Sequence, residues 1–328
     1  MNNKIHIPVL LSEVLNALAP TSGKCYLDGT FGSGGYTRAI LEKTDCTVLA
    51  IDRDPDSIAR AKIMKKEFDY RKGKHLIPLQ GRFSEMYMLA KNAGYSTVDG
   101  VTLDLGFSSI QMDEAERGFS FRCDGPLDMR MESSGITAAD LVNTASKKKL
   151  SDIIFYLGEE RYACRIVKAI IRARKIAPIH RTSQLATLVR RSIPYSGHKN
   201  IDPATRTFQA LRIYVNNELE ELEHGLDAAE RLLAPGGKLA VVSFHSLEDR
   251  KVKLLLRKRS GHTSNPSRHN LEAIAGNYAG LLPTFAITAT QLILPKKDEI
   301  SHNPRARSAR LRIAHRTEAL PWQSQTKQ

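Results

Sequence analysis

The chain has no apolar run approaching the roughly 18 residues that a membrane span needs, so a spanning helix is not expected. Met1-Asn2-Asn3-Lys4-Ile5-His6 lacks the apolar stretch of a secretory signal, which makes the cytoplasm the expected compartment. Cysteine is scarce: the four, at 25, 46, 123 and 164, never fall in C-x-x-C spacing, so neither a zinc site nor a disulfide framework is suggested and no metal is expected. Internal repeats are absent. The 328 residues are 41% hydrophobic and 26% charged, as in ordinary soluble globular proteins, and leave room for one large domain or two smaller ones.

Acidic residues are also scarce in two places. From Asn143 to Lys199 there are 13 basic and 3 acidic residues, and from Arg250 to Arg316 there are 14 basic and 3 acidic. Acidic segments such as Glu218-x-Glu220-Glu221-x-Glu223 bring the net charge down to +14. Clustered cations are the footprint of a polyanionic partner, nucleic acid being the commonest, against the alternative of solvated helix faces.

What is present is a glycine-rich corner, Tyr26-Leu27-Asp28-Gly29-Thr30-Phe31-Gly32-Ser33-Gly34-Gly35-Tyr36-Thr37. A short apolar run, Cys25 to Leu27, feeds an acid, four glycines follow within seven residues, and a helical pattern opens at Thr37. Strand, glycine turn and helix in that order form the ligand-binding corner of an open α/β sheet. Glycine is expected there for positive φ and to let a ligand approach the backbone. The dinucleotide pattern G-x-G-x-x-G fails, because Thr37 stands where its third glycine belongs. The looser Asp28-Gly29-x-x-Gly32-x-Gly34-Gly35 looks like the S-adenosylmethionine (SAM) loop of Rossmann-like methyltransferases. A turn without any ligand is the remaining alternative.

Further along, Thr47 to Ile51 reads as a buried strand ending at Asp52, placed to accept ribose hydroxyls of NAD or SAM alike. Asp54 is a plausible N-cap with Pro55 at the first helical position. Beyond a third strand, His75 to Leu79, Phe83 could cover an adenine ring or serve as a core aromatic. The fourth strand, Val98 to Leu103, ends in Asp104, with Ser108, Ser109 and Gln111 close behind. From Asp113 to about Asn216 the alternation of strands and helices stops. The loop 116–131, too apolar to be disordered, leads into an inserted all-helical subdomain. Pro203 to Leu233 reads as one long helix, Lys238 to Phe244 as a fifth strand, and Phe285–Leu294 and Ala309–Ala314 as the sheet edge. Residues 317–328 read as a disordered tail. The domain expectation is therefore a core of 1–112 plus 217–316 with a recognition insert at 113–216.

Several long segments together resemble one family: Asp28-Gly-Thr-Phe-Gly-x-Gly-Gly35, Ala50-Ile-Asp-Arg-Asp-Pro55, Leu103-Asp-Leu-Gly-x-Ser-Ser109, Glu116-Arg-Gly-Phe-Ser-Phe121 and Asp124-Gly-Pro-Leu-Asp-Met-Arg-Met131. Pro203-Ala-Thr-Arg-Thr-Phe-Gln-Ala210, Ser243-Phe-His-Ser-Leu-Glu-Asp-Arg250 and Asn303-Pro-Arg-Ala-Arg-Ser308 complete the set. The chain resembles the H family of small-subunit ribosomal RNA methyltransferases from about residue 8 to 315. The resemblance implies a class I SAM-dependent methyltransferase sheet with a helical insert, SAM as cofactor, and 16S rRNA or the small ribosomal subunit as partner. The implied reaction is methyl transfer to the exocyclic N4 of a decoding-centre cytidine. SAM contacts would fall on Gly34, Gly35, Tyr36, Asp52, Phe83, Asp104 and Gln111, with Tyr36 standing where the family often has His. Asp104 is the candidate catalytic acceptor. Arg117, Phe107, Phe119, Phe121 and His245 are candidates for holding the splayed base, with core packing or helix capping as the alternative for each. Arg305 and Arg307 are candidates for phosphate. A dehydrogenase and a non-catalytic RNA-binding protein are the competing classes. Thr37 opposes the first, and the glycine loop with Asp52 opposes the second.

Overall fold

The structure is a computed structural model that describes residues 8–106, 111–112, 114–194, 202–261, 281–287 and 292–322. The chain divides into two compact units, Met1–Gly106 with Glu221–Gln328, and Phe107–Glu220. The second unit thus begins six residues earlier than the predicted insert and ends four residues later.

The first unit is built on seven strands: β1 Cys25–Asp28, β2 Thr47–Asp52, β3 His75–Gln80, β4 Val98–Asp104, β5 Leu233–Ser243, β6 Phe285–Ala286 and β7 Arg310–Arg316. Their spatial order is β3-β2-β1-β4-β5-β7-β6. Strands β1 to β5 pair in parallel, while β7 runs antiparallel to both β5 and β6. This is the doubly wound α/β sheet of class I SAM-dependent methyltransferases. Alternate residues of β2 enter opposite cores: Val48 and Ala50 pack on one side, Leu49 and Ile51 on the other. Burial on both faces explains why these strands read as unbroken apolar runs ending in a single acid. Strand order reverses between β1 and β4, so the crevice beyond their carboxyl ends is the topological switch point where ligands bind.

The helices among the described residues, in chain order, are α1 Leu11–Leu18, α2 Gly35–Lys43, α3 Pro55–Asp69, α4 Met86–Asn92, α5 Ala138–Thr144, α6 Lys147–Gly158, α7 Ala163–Arg174, α8 Thr182–Ser192, α9 Ala204–Asn216, α10 Glu218–Leu232, α11 Ser246–Arg259 and α12 Lys297–His302. Asp54 caps α3, accepting from Asp56 N at 3.1 Å, with Pro55 following. Helices α5 to α9 share one apolar core that includes Leu141, Ile154, Ile166, Val189 and Leu211. Among the described residues no helix is long and apolar enough to cross a membrane.

Two expectations need correction. The helix predicted from Pro203 to Leu233 is two, α9 and α10, broken at Asn217, whose φ of 52° lies in the left-handed region. Asn tolerates that region better than most residues, so the break has a local cause. The tail predicted disordered from 317 is ordered to 322. Trp322 is buried, its indole N–H donates to Leu282 O at 2.9 Å, and the Arg259 guanidinium lies 4.2 Å from its ring. The 262–280 part of the polar segment, and Phe107, Ser108 and Ser109, lie outside the described residues.

Candidate active site

The β1–α2 turn is folded around Asp28. Its side chain is buried; Oδ2 accepts from the Thr37 hydroxyl at 2.7 Å and Oδ1 from Thr30 N at 3.3 Å. Burial pushes this carboxyl up to about 6, against the two hydrogen bonds and with help from the Asp52 charge. Thr37, where a dinucleotide loop would have glycine, is thus the residue that ties α2 to the strand tip.

Gly32 and Gly34 have φ of 55° and 80°, the left-handed region that favours glycine. Ligand clearance, however, is not what keeps Gly34 and Gly35 bare. A Cβ on Gly34 would stand 2.5 Å from the Phe31 ring and from Met64, and one on Gly35 would stand 2.1 Å from Pro8. Both positions are bare because the chain packs on itself there. The Tyr36 ring is likewise committed to the core, its hydroxyl donating to Val9 O. Only its backbone is left to serve a cofactor.

Two further acids stand at neighbouring strand ends. Asp52 Oδ2 accepts from Gly32 N at 2.7 Å and Oδ1 from Asp54 N at 2.9 Å, so it braces the glycine loop. Burial raises its pKa. Each carboxylate oxygen has a second lone pair, which leaves capacity for ribose hydroxyls. Arg60 grips the same loop from α3, Nε donating to Gly32 O at 3.3 Å. Asp104 ends β4, its N–H donating to Thr30 Oγ1 at 2.7 Å. The residue keeps some exposure, yet its Oδ1 is sealed from solvent with no hydrogen-bond partner among the described residues. Burial first, then the charges of Asp28 and Glu248, raises its pKa well above the carboxylate range.

Phe83 opens a single 3₁₀ turn, Phe83–Glu85, directly after β3. Its half-buried ring lies against α10, where a Cβ on Gly225 would come within 2.2 Å of it. The turn is pinned by Glu221, which accepts from Ser84 N and Ser84 Oγ, both at 2.9 Å. Neither Glu221 nor Gly225 is legible in the sequence as a site residue, since each acts by holding Phe83.

These groups fit SAM. Asp28, Asp52 and Asp104 concentrate carboxyls at adjacent strand tips, and the sealed oxygen of Asp104 lacks a donor that an ammonium or an amine could supply.

The remaining predicted residues divide by unit. In the second unit Gln111 is buried. Arg117 donates to Arg130 O at 3.2 Å and to Met131 O at 3.1 Å, which organises the 116–131 loop. Asn216 clamps the same loop, donating to Met129 O and accepting from Met131 N, both at 2.8 Å. Phe119 is buried, and Phe121 stacks edge-on with Phe208 at 4.9 Å between ring centroids. Phe119 thus packs in the core, while Phe121 stays partly exposed beside Phe208 and the Arg190 guanidinium. In the first unit His245 is the N-cap of α11, its Nδ1 accepting from Glu248 N at 3.4 Å. Its Nε2 stands 3.0 Å from Glu248 Oε1, without the angle of a hydrogen bond. Its side chain is 9% exposed, and it caps the helix. Arg305 and Arg307 are exposed on the 3₁₀ segment Pro304–Ser308.

The profile of the MraW methylase family matches residues 3–317. A ribosomal RNA small subunit methyltransferase H of Paramagnetospirillum magneticum is 53% identical over 324 residues, 99% of this chain and 99% of that protein. The protein of the same name from Rhodospirillum centenum is 55% identical over 315 residues, 96% of this chain and 93% of its own length. Identity at this level across nearly the whole length, on a sheet of this order with acids at these tips, makes the chain a member of the MraW methylase family.

Proposed function

We propose that the chain transfers a methyl group from SAM to the exocyclic N4 of a cytidine in small-subunit ribosomal RNA. The observation that carries the chemistry is the sealed, partnerless oxygen of Asp104 at the switch point of the sheet, flanked by Asp28 and Asp52. Family membership and the names of the relatives support the RNA substrate.

When bound, SAM supplies an activated methyl on a sulfonium, so the protein's task is alignment and charge stabilisation rather than activation. Asp52 would accept the ribose hydroxyls, and Phe83 would cover the adenine. Backbone groups of Gly34, Gly35 and Tyr36 would line the loop side. Cytosine N4 is a poor nucleophile because its lone pair is delocalised into the ring. A carboxylate held near it stabilises the positive charge that builds on nitrogen during attack, a preorganised electrostatic contribution. Asp104 is the candidate for that acceptor, with alignment lowering the barrier by several kcal/mol more. Arg305 and Arg307 would contact phosphate.

Incubation of the purified protein with methyl-labelled SAM and small ribosomal subunits lacking the modification, followed by mass mapping of the rRNA, tests this reading. A single labelled cytidine carrying the methyl on N4 is expected. Label on another base or atom, or none, would overturn it. Asp104→Asn should lose transfer rate beyond its loss of SAM affinity; equal losses would make Asp104 a cofactor ligand only.

A further inference from the structure

Helix α7 carries a row of cations that the site described above does not use. Arg165, Lys168, Arg172 and Lys175 follow one another at intervals of three and four, and Arg161 precedes them by four in the turn that leads into the helix. At 100° per residue the four helical positions fall within an arc of about 80° and extend about 15 Å along the axis. All five side chains are exposed, whereas Ala163, Ile166, Val167 and Ile170 on the opposite side are buried in the helical core. No acid occurs between Arg161 and Lys175.

The row differs from four other arginines of its unit, each of which has a carboxylate partner. Arg130 pairs with Asp128 at 2.8 Å, Arg181 with Asp124 at 2.6 Å, Arg190 with Asp202 at 2.7 Å and Arg212 with Glu218 at 2.8 Å. Among the described residues, none of the five on α7 has a carboxylate partner or a side-chain hydrogen bond. Like charges at such spacing disfavour an isolated helix. A surface that concentrates them without neutralisation is complementary to a polyanion, and a linear row about 15 Å long matches a few successive phosphates of one strand.

We infer that the exposed face of α7 is a docking rail for the phosphodiester backbone of the RNA substrate. This rests on the RNA reading above and extends it to residues not assigned there. Phosphate contacts of this kind set position and on-rate and carry no base information. They release counterions, each contributing about 0.7 to 0.9 to the slope of log affinity against log salt.

The test uses the full chain in two triple variants of equal charge change. Arg165→Gln/Lys168→Gln/Arg172→Gln removes the rail. Lys62→Gln/Lys66→Gln/Lys72→Gln removes three exposed cations on and just after α3. Binding to small ribosomal subunits is measured from 50 to 200 mM salt, with SAM titration and thermal unfolding as checks on folding. The rail variant should flatten the salt slope by about 2 to 3, with SAM affinity unchanged, while the α3 variant keeps a slope near that of the unaltered protein. Equal slopes for all three proteins, or equal flattening in both variants, would overturn the inference and leave the proposed reaction standing. If the unaltered protein methylates the RNA while the rail variant loses binding equally at every salt concentration, α7 acts through something other than phosphate and the inference also fails. Methylation by neither protein would instead count against the reaction itself.

Discussion

Gly225 lies in the interior of α10, away from the strand tips, with the Phe83 ring against it. Replacing an interior helical glycine with alanine ordinarily stabilises a protein by about 0.5–1 kcal/mol. Here the added Cβ would lie 2.2 and 2.3 Å from two carbons of the Phe83 ring. Carbon atoms in contact sit about 3.5–4.0 Å apart, so the ring has to retreat by more than 1 Å. It has little freedom to do so inward. The turn that bears it is held by two hydrogen bonds from Ser84 to Glu221. The ring is therefore displaced toward solvent, into the space assigned to the adenine. Overpacking of this kind costs about 1–3 kcal/mol, which cancels or exceeds the helical gain. Loss of ring–ring contact costs about 0.5–1.5 kcal/mol of SAM binding, roughly two- to tenfold in affinity. Calorimetric titration and urea unfolding of Gly225→Ala read both quantities. The double variant Gly225→Ala/Phe83→Leu should recover stability but not affinity. If Gly225→Ala binds SAM as tightly as the unaltered protein, Phe83 does not cover the adenine and the placement of the cofactor is wrong.

Other outcomes follow from the same structure. Because the Asp28 carboxyl is raised to about 6 when folded, the native state binds its proton more tightly than the unfolded chain does. Its contribution is therefore fully present below pH 4 and lost as pH rises through 6, a change of about 3 kcal/mol. Asp28→Asn removes that dependence, so its stability relative to the unaltered protein should climb between pH 4 and 7; a pH-independent difference in denaturant midpoints would contradict the burial of the charge. Trp322→Ala should cost about 3 kcal/mol, since the ring is buried against Arg259 and its N–H bonded to Leu282. An unchanged midpoint would return residues 317–322 to the status of a loose tail.

The acids at the strand tips were legible in sequence because parallel strands buried on both faces are mostly apolar until their ends. Asp28, Asp52 and Asp104 each follow an apolar run for that reason. What supports them was not legible, because the partners are distant in sequence. The bareness of Gly35 answers to Pro8, that of Gly225 to Phe83, and the turn at Phe83 to Glu221, 137 residues beyond Ser84. The resemblance placed Tyr36 at the cofactor, whereas its ring anchors Val9, a packing role that no local pattern announces. The aromatic loop 116–131 was recognisable as ordered, but its rings and Arg117 turned out to be occupied within the second unit. His245 carried a readable signal in its N-cap position before Ser246-Leu247-Glu248, where the helix needs an acceptor. Trp322, the sole tryptophan of the chain, was a similar sign that the end of the sequence is packed.

Three crowded carboxyls, Asp28, Asp52 and Asp104, would form a seat for a cation. SAM arrival should draw Asp104, and in part Asp28, toward the ionised state and release protons. Calorimetric titration of SAM near pH 6 in two buffers of different ionisation enthalpy measures this directly. The unaltered protein should bind SAM with proton release, and Asp104→Asn should bind more weakly with release diminished. Absence of binding, or identical affinity and proton release in Asp104→Asn, would contradict the account.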